Sequence, residues 1–162
     1  MQENFVIYNE EYVLMKDILQ KLKTHTHAMG VFITDSEGHC IASSGEMDEI
    51  NLNSISSLIA GSVAAINSIA QMIRIDNFNA ILNESSSKSL HISLINDQAM
   101  LVVIFDNATN LGLVRFRVRN AVEELEKVFQ TIQEKLRAQS NTPPSSPFEG
   151  VSDEDIDRIF GE

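Results

Sequence analysis

Residues 52–73 read LNSISSLIAGSVAAINSIAQMI, and no charged side chain interrupts them although the whole chain carries a formal charge of −11. At about 100° per residue, Ile55, Leu58, Ile59, Val63, Ile66, Ile69, Ala70 and Ile73 collect on one side. That stripe is broad enough for a helix facing a core. The opposite side holds Ser57, Ala60, Gly61, Ala64, Ala65, Asn67, Ser68, Gln71 and Met72, where a solvent-facing helix ordinarily carries Lys and Glu. Small side chains at Gly61, Ala64 and Ser68 allow a second backbone to come close, and an interior glycine costs about 1 kcal/mol of helix stability relative to alanine. The pattern predicts a helix with one face on its own sheet and the other covered by further polypeptide. Burial wholly inside one large domain is the competing arrangement. A membrane span is disfavoured because Ser, Asn and Gln recur throughout and each is costly in hydrocarbon.

Upstream, a short apolar patch from Phe5 to Tyr8 precedes Asn9, a residue suited to cap a helix. Tyr12, Leu14, Met15, Ile18, Leu19 and Leu22 then recur at helical spacing, which predicts a first helix to about Thr24 with a broad buried side. Met29 to Thr34 and His39 to Ser43 are strand-length runs around the turn Asp35-Ser36-Glu37-Gly38, so they form a hairpin. Asn51 or Asn53 caps the uncharged helix, and Asp48 and Glu49 suit its positive end.

Downstream, Ala80 to Asn83, Leu90 to Ile95 and Met100 to Phe105 are three further strands, joined by a serine-rich turn and by Asn96-Asp97. Thr109 or Asn110 caps a last helix in which Leu111, Val114, Val118, Val122, Leu125, Phe129, Ile132 and Leu136 keep the helical period. The order is therefore α-β-β-α-β-β-β-α. An α+β fold, a five-stranded antiparallel sheet with helices on both faces as in an α/β sandwich, buries the apolar side of every element.

The domain is expected to occupy residues 1–138. Residues 139–150 include QSNTPPSSP and read as a flexible linker. Residues 151–162 read as a short amphipathic helix: Ser152 caps, Asp155 takes the reciprocal acidic position, Val151 staples onto Ile156, and Asp153 and Glu154 suit the first turn. A helix that short is marginal alone. Ile156, Ile159 and Phe160 therefore read as a tethered recognition motif for a groove on a partner or on the chain's own domain, the alternative being an acidic tail with accidental spacing.

At 162 residues the chain is long enough for one domain with a core and a tail. Its acidity disfavours nucleic acid and anionic membranes as partners and points to the cytoplasm. A lone cysteine, Cys40, gives no disulfide framework and no cysteine-rich metal site. Nothing in MQENFVIYNE marks export. Phosphate loops, G-x-S-x-G and H-E-x-x-H are absent from the sequence. His25, His27 and His39 are too scattered to argue for a metal. Cys40 on a strand reads as a small core side chain rather than a nucleophile. No catalytic residue, cofactor or metal is expected. Arg115, Arg117 and Arg119 form the one basic concentration; they either pair with Glu123, Glu124 or the sheet edge or receive an acidic partner or a phosphate.

With SSLIAGSVAAINSIAQ on the central helix and LVVIFDNATNLGLVRFRV joining the last strand to the last helix, the chain resembles the Roadblock/dynein-light-chain family, from about Asn9 to Leu136. Within that family it is most similar to a bacterial gliding-motility and polarity group, whose chains also end in a segment like PFEGVSDEDIDRIFGE. The resemblance implies a profilin-like fold and a homodimer, or a dimer of dimers, in which sheets join edge to edge and the central helices form a platform. It implies a partner, an MglA-like Ras-family GTPase in its GTP-bound form, whose hydrolysis is stimulated by a protein that is not itself an enzyme; a scaffold that binds without activating is the alternative. By the same resemblance Ser57, Ala60, Gly61, Ala64, Ala65, Ser68, Gln71 and Met72 lie at the surface shared with the second subunit and the GTPase. Ile156, Ile159 and Phe160 reach the GTPase elsewhere and tune nucleotide exchange. A location in the cytoplasm, concentrated at a cell pole, follows from the same likeness.

Overall fold

Eight elements follow in the expected order: α1 (Asn9–Thr26), β1 (Gly30–Asp35), β2 (Cys40–Gly45), α2 (Leu52–Met72), β3 (Ala80–Glu84), β4 (Lys88–Ile95), β5 (Ala99–Asp106) and α3 (Leu111–Ser140). The computed structural model describes residues 7–47, 51–76 and 78–140. Phe5, the acidic pair Asp48 and Glu49, and the tail motif with Ile156, Ile159 and Phe160 lie outside the described residues. α3 runs to Ser140, past the expected end at Ala138, and the rest of the expected linker, from residue 141, also lies outside the described residues.

The sheet has the order β2-β1-β5-β4-β3 with every neighbouring pair antiparallel. Central β5 is buried without a break from Ala99 to Val103, as a strand covered on both faces must be. Alternation divides its side chains between two cores. Leu101, Val103 and Phe105 join Val31 and Ile33 of β1 beneath α1 and α3. Met100 and Val102 join Phe32 beneath Ile59 and Val63 of α2. Two helices thus cover one face and a single helix the other, a three-layer arrangement that buries each apolar stripe.

α1 and α3 lie side by side, tied by Lys135 donating to the buried Glu11 carboxylate at 2.5 Å. Asn51 caps α2, its side-chain oxygen accepting from the Ser54 N–H at 3.1 Å, and Asn110 does the same for Leu113 in α3.

Three expectations need correction. Asn9 is the first helical residue of α1 rather than its cap; extended Tyr8 holds that position and offers no side-chain bond. Tyr12 and Leu14 are exposed, because α1 has only the sheet and α3 to pack against and its buried line narrows to Met15, Ile18, Leu19 and Leu22. On α2, Leu58, Ile69 and Ile73 are also exposed, at 71%, 51% and 57%. Its contact with the sheet runs through Ser56, Ile59, Val63 and Ala70, a line rotated away from the one the isoleucines suggest.

Candidate partner-binding face

The rotation of α2 makes its outer surface more apolar than the sequence implies. Ser57, Gly61, Ala64, Ala65, Ser68, Gln71 and Met72 are all exposed, and Ala60 is half-buried. Among them stand Leu58 and Ile69, with Met72 at 84% exposure near the C-terminal end. Sequence reasoning misses these apolar residues as surface because an uncharged helix gives no polar edge from which to judge where its core side stops. The absence of charge on every side is the available signal.

The serine hydroxyls on this face are turned inward. Ser57, Ser62 and Ser68 donate to the carbonyls of Asn53, Leu58 and Ala64 at 3.0, 2.8 and 3.0 Å. A hydroxyl bonded to the preceding turn presents little unsatisfied polarity to a partner. Gly61 has the opposite character. A Cβ built there meets nothing within 4 Å, so no contact among the described residues requires glycine, although glycine costs the helix about 1 kcal/mol. By length and composition α2 would suffice to cross a membrane. Its sheet-facing side instead walls the second core through Ile59 and Val63.

The β1–β2 turn sets the position of α2. Gly38, at φ 91°, lies so close that a Cβ would come within 2.6 Å of the Ser57 Cα, and its carbonyl accepts from the Ser57 hydroxyl at 3.4 Å. Asp35 holds the turn together by accepting from the Glu37 and His39 N–H groups at 3.0 and 2.8 Å. Its second oxygen lies 3.1 Å from His39 Nδ1. Asp35, Glu37 and His39 thus cluster, with Asp35 engaged in closing the hairpin. Beside α2, a shallow groove runs between Ala60, Ala64 and Asn67 on one side and Leu94 and Met100 on the other. Leu90, Leu94 and Ile104 on this face are only partly covered.

Elsewhere the chemistry is sparse. Cys40 is half-buried, and burial pushes its thiol above the ordinary range, away from the reactive thiolate. The arginine cluster differs from the paired arrangement: among the described residues Arg115, Arg117 and Arg119 take part in no ion pair with Glu123 or Glu124. Arg117 lies over the Phe116 ring at 5.7 Å with its Nε buried and unbonded. His91, buried on β4, is not singled out by its sequence context; burial and then nearby Arg115 hold its imidazole below the ordinary histidine range.

Comparison with known proteins agrees with this architecture. The Roadblock/LC7 domain model matches residues 14–105. Myxococcus xanthus MglB superposes with a TM-score of 0.75 at 37% identity, covering 78% of this chain and 96% of that one. The gliding protein MglB from Thermus thermophilus superposes with a TM-score of 0.73 at 22% identity, covering 79% of this chain and 97% of that one. Acanthamoeba castellanii profilin IA shares the fold at a TM-score of 0.53 and 14% identity, covering 69% of this chain and 96% of that one. No curated protein matches the chain at a significant level. On its domain match and its likeness to a solved MglB, the chain belongs to the Roadblock/LC7 family.

Proposed function

We propose that the chain is a non-enzymatic regulator of an MglA-like Ras-family GTPase. A homodimer receives the GTP-bound form on its α2 helices and stimulates hydrolysis, in the cytoplasm and concentrated at a cell pole. The observation that carries this reading is the outer face of α2, uncharged over 21 residues, with Leu58, Ile69 and Met72 exposed. An apolar, charge-free helix face of this kind is suited to protein contact. The 37% identity to Myxococcus xanthus MglB supports the choice of GTPase.

The chemistry of the face bears on mechanism. Many GTPase activators that act in trans supply an arginine to the transition state. α2 itself carries no cation, Arg74 lying beyond its end, so the face has no such group to extend. The mode we propose is selection: Ser57, Ala60, Gly61, Ala64, Ala65, Ser68, Gln71 and Met72 accept one arrangement of the GTPase's switch segments. Binding energy then favours the conformation in which the GTPase's own residues are aligned for hydrolysis. Ile156, Ile159 and Phe160 provide a second contact that tunes exchange.

A phosphate-release assay with an MglA-like GTPase tests the proposal. The native chain should accelerate release, and Gly61→Arg or Ala64→Arg should abolish the acceleration while leaving the circular dichroism spectrum unchanged. Stimulation that survives both substitutions would remove α2 from the mechanism. Binding without stimulation by the native chain would make it a scaffold instead.

A further inference from the structure

A groove opens on the face of the sheet opposite α2. α3 leaves the edge of the sheet uncovered there, so Leu82 and His91 form a floor, Val118 and Val122 a wall, and Arg115 and Arg119 a rim. The floor is unusual for a sheet: His91 is 4% exposed and its Nδ1 lies 3.4 Å from the Ser93 hydroxyl. With that imidazole held neutral by burial and by Arg115, the positive charge of the groove rests on the two arginines. Neither has an ion-pair partner among the described residues. In a chain of net charge −11, an apolar trough beneath two unpaired arginines suits a segment that is both acidic and apolar.

We propose that this groove seats the chain's own C-terminal segment, residues 151–162, with Ile156, Ile159 and Phe160 on the apolar wall and acidic neighbours along the arginine rim. Charge agrees at the arginine end, where Asp157 and Glu162 flank Ile159 and Phe160, while Glu126 lines the other end of the groove, beside Val151 and Ser152. Reach agrees as well. Glu126, at the near end of the groove, lies about 21 Å back along α3 from Ser140 at the helical rise, and the ten residues 141–150 span up to about 33 Å when extended. Helical geometry from Val151 onward advances about 13 Å by Phe160, which brings it between Arg119 and Arg115 with Asp157 beside Arg119. The seat leaves the outer face of α2 clear, and it holds for the isolated chain whether or not a GTPase is the partner. The tail is then released when another surface competes for Ile156, Ile159 and Phe160.

Disulfide trapping in the full-length chain tests the seat. In a Cys40→Ser background, one chain carries Leu82→Cys, level with His91 at the Arg115 end of the groove, with Gly161→Cys in the tail, and a control carries Glu37→Cys with Gly161→Cys. Dilute oxidation should close the groove pair about ten-fold faster than the control, because docking raises the local concentration of the tail thiol. Adding Phe160→Asp, or Arg115→Glu with Arg119→Glu, should bring the rate down to that of the control. Equal rates at positions 82 and 37, or a groove rate indifferent to these substitutions, overturns the proposal. Mixing isotopically heavy and light chains reads the route: links within one chain support it, and links between chains overturn it.

Discussion

The Gly38 carbonyl accepts a hydrogen bond from the Ser57 hydroxyl at 3.4 Å, and the Ser57 Cα occupies the space a Gly38 side chain would need. The hairpin turn and the first turns of α2 are therefore seated directly on one another. Gly38→Ala combines a positive φ with this collision, and should destabilise the chain by about 1–3 kcal/mol. A shifted urea midpoint with an unchanged slope is the expected reading. Weakened GTPase binding should accompany it, since the start of the platform helix is displaced.

Adjacent residues on α2 should respond oppositely to truncation. Ile59 is 4% exposed and Leu58 71%. Ile59→Ala is expected to cost about 2–5 kcal/mol, and Leu58→Ala less than about 0.5 kcal/mol when unfolding is followed at concentrations where the chain is alone. The order reverses for GTPase binding, where Leu58→Ala should be the damaging change. Chemical denaturation and a binding titration read the two effects.

Gly61→Ala separates the needs of the chain from those of its partner. With open space around the position, the substitution should stabilise the isolated chain by about 1 kcal/mol. The added methyl group should weaken GTPase binding if the face is closely covered. A more stable chain with unchanged affinity would show that nothing approaches Gly61.

The Lys135–Glu11 bridge predicts a pH signature. The hydrogen bond from Lys135 holds the Glu11 carboxyl below its ordinary range, and the same bond raises the Lys135 ammonium. Because the carboxyl is depressed in the folded state, its contribution is complete above the unfolded carboxylate range and is lost as pH falls through the lower folded value. The lysine contribution is complete below the ordinary lysine range and is lost as pH rises past its raised value. Lys135→Met should therefore melt below the native chain at neutral pH, with the gap closing in strong acid where Glu11 is protonated in both. Melting temperatures across an acid series check this.

Most elements are legible in the sequence because their periodicity is local. The apolar run from Met100 to Phe105 and the caps at Asn51 and Asn110 depend on neighbours in sequence, and the structure places a strand and two capped helices there. Orientation is harder. An apolar period locates a stripe but not its centre, so Leu58 and Ile69 fall on the core side by spacing while Ser56 takes the buried place in the fold. Buried His91 and Ser93 under α3 are hidden inside a run that reads only as a strand, and Ser89 lies just before its expected start although β4 begins at Lys88. The arginines on α3 stand apart from Glu123 and Glu124 because helical spacing permits an ion pair without forming one.

Light scattering on a sizing column, with the chain alone and mixed with an MglA-like GTPase in its GTP-analogue and GDP states, tests most directly whether α2 is covered by other polypeptide. The account predicts the mass of a dimer alone, gaining one GTPase with the analogue and none with GDP. A monomer whose mass ignores the GTPase in both nucleotide states would contradict it.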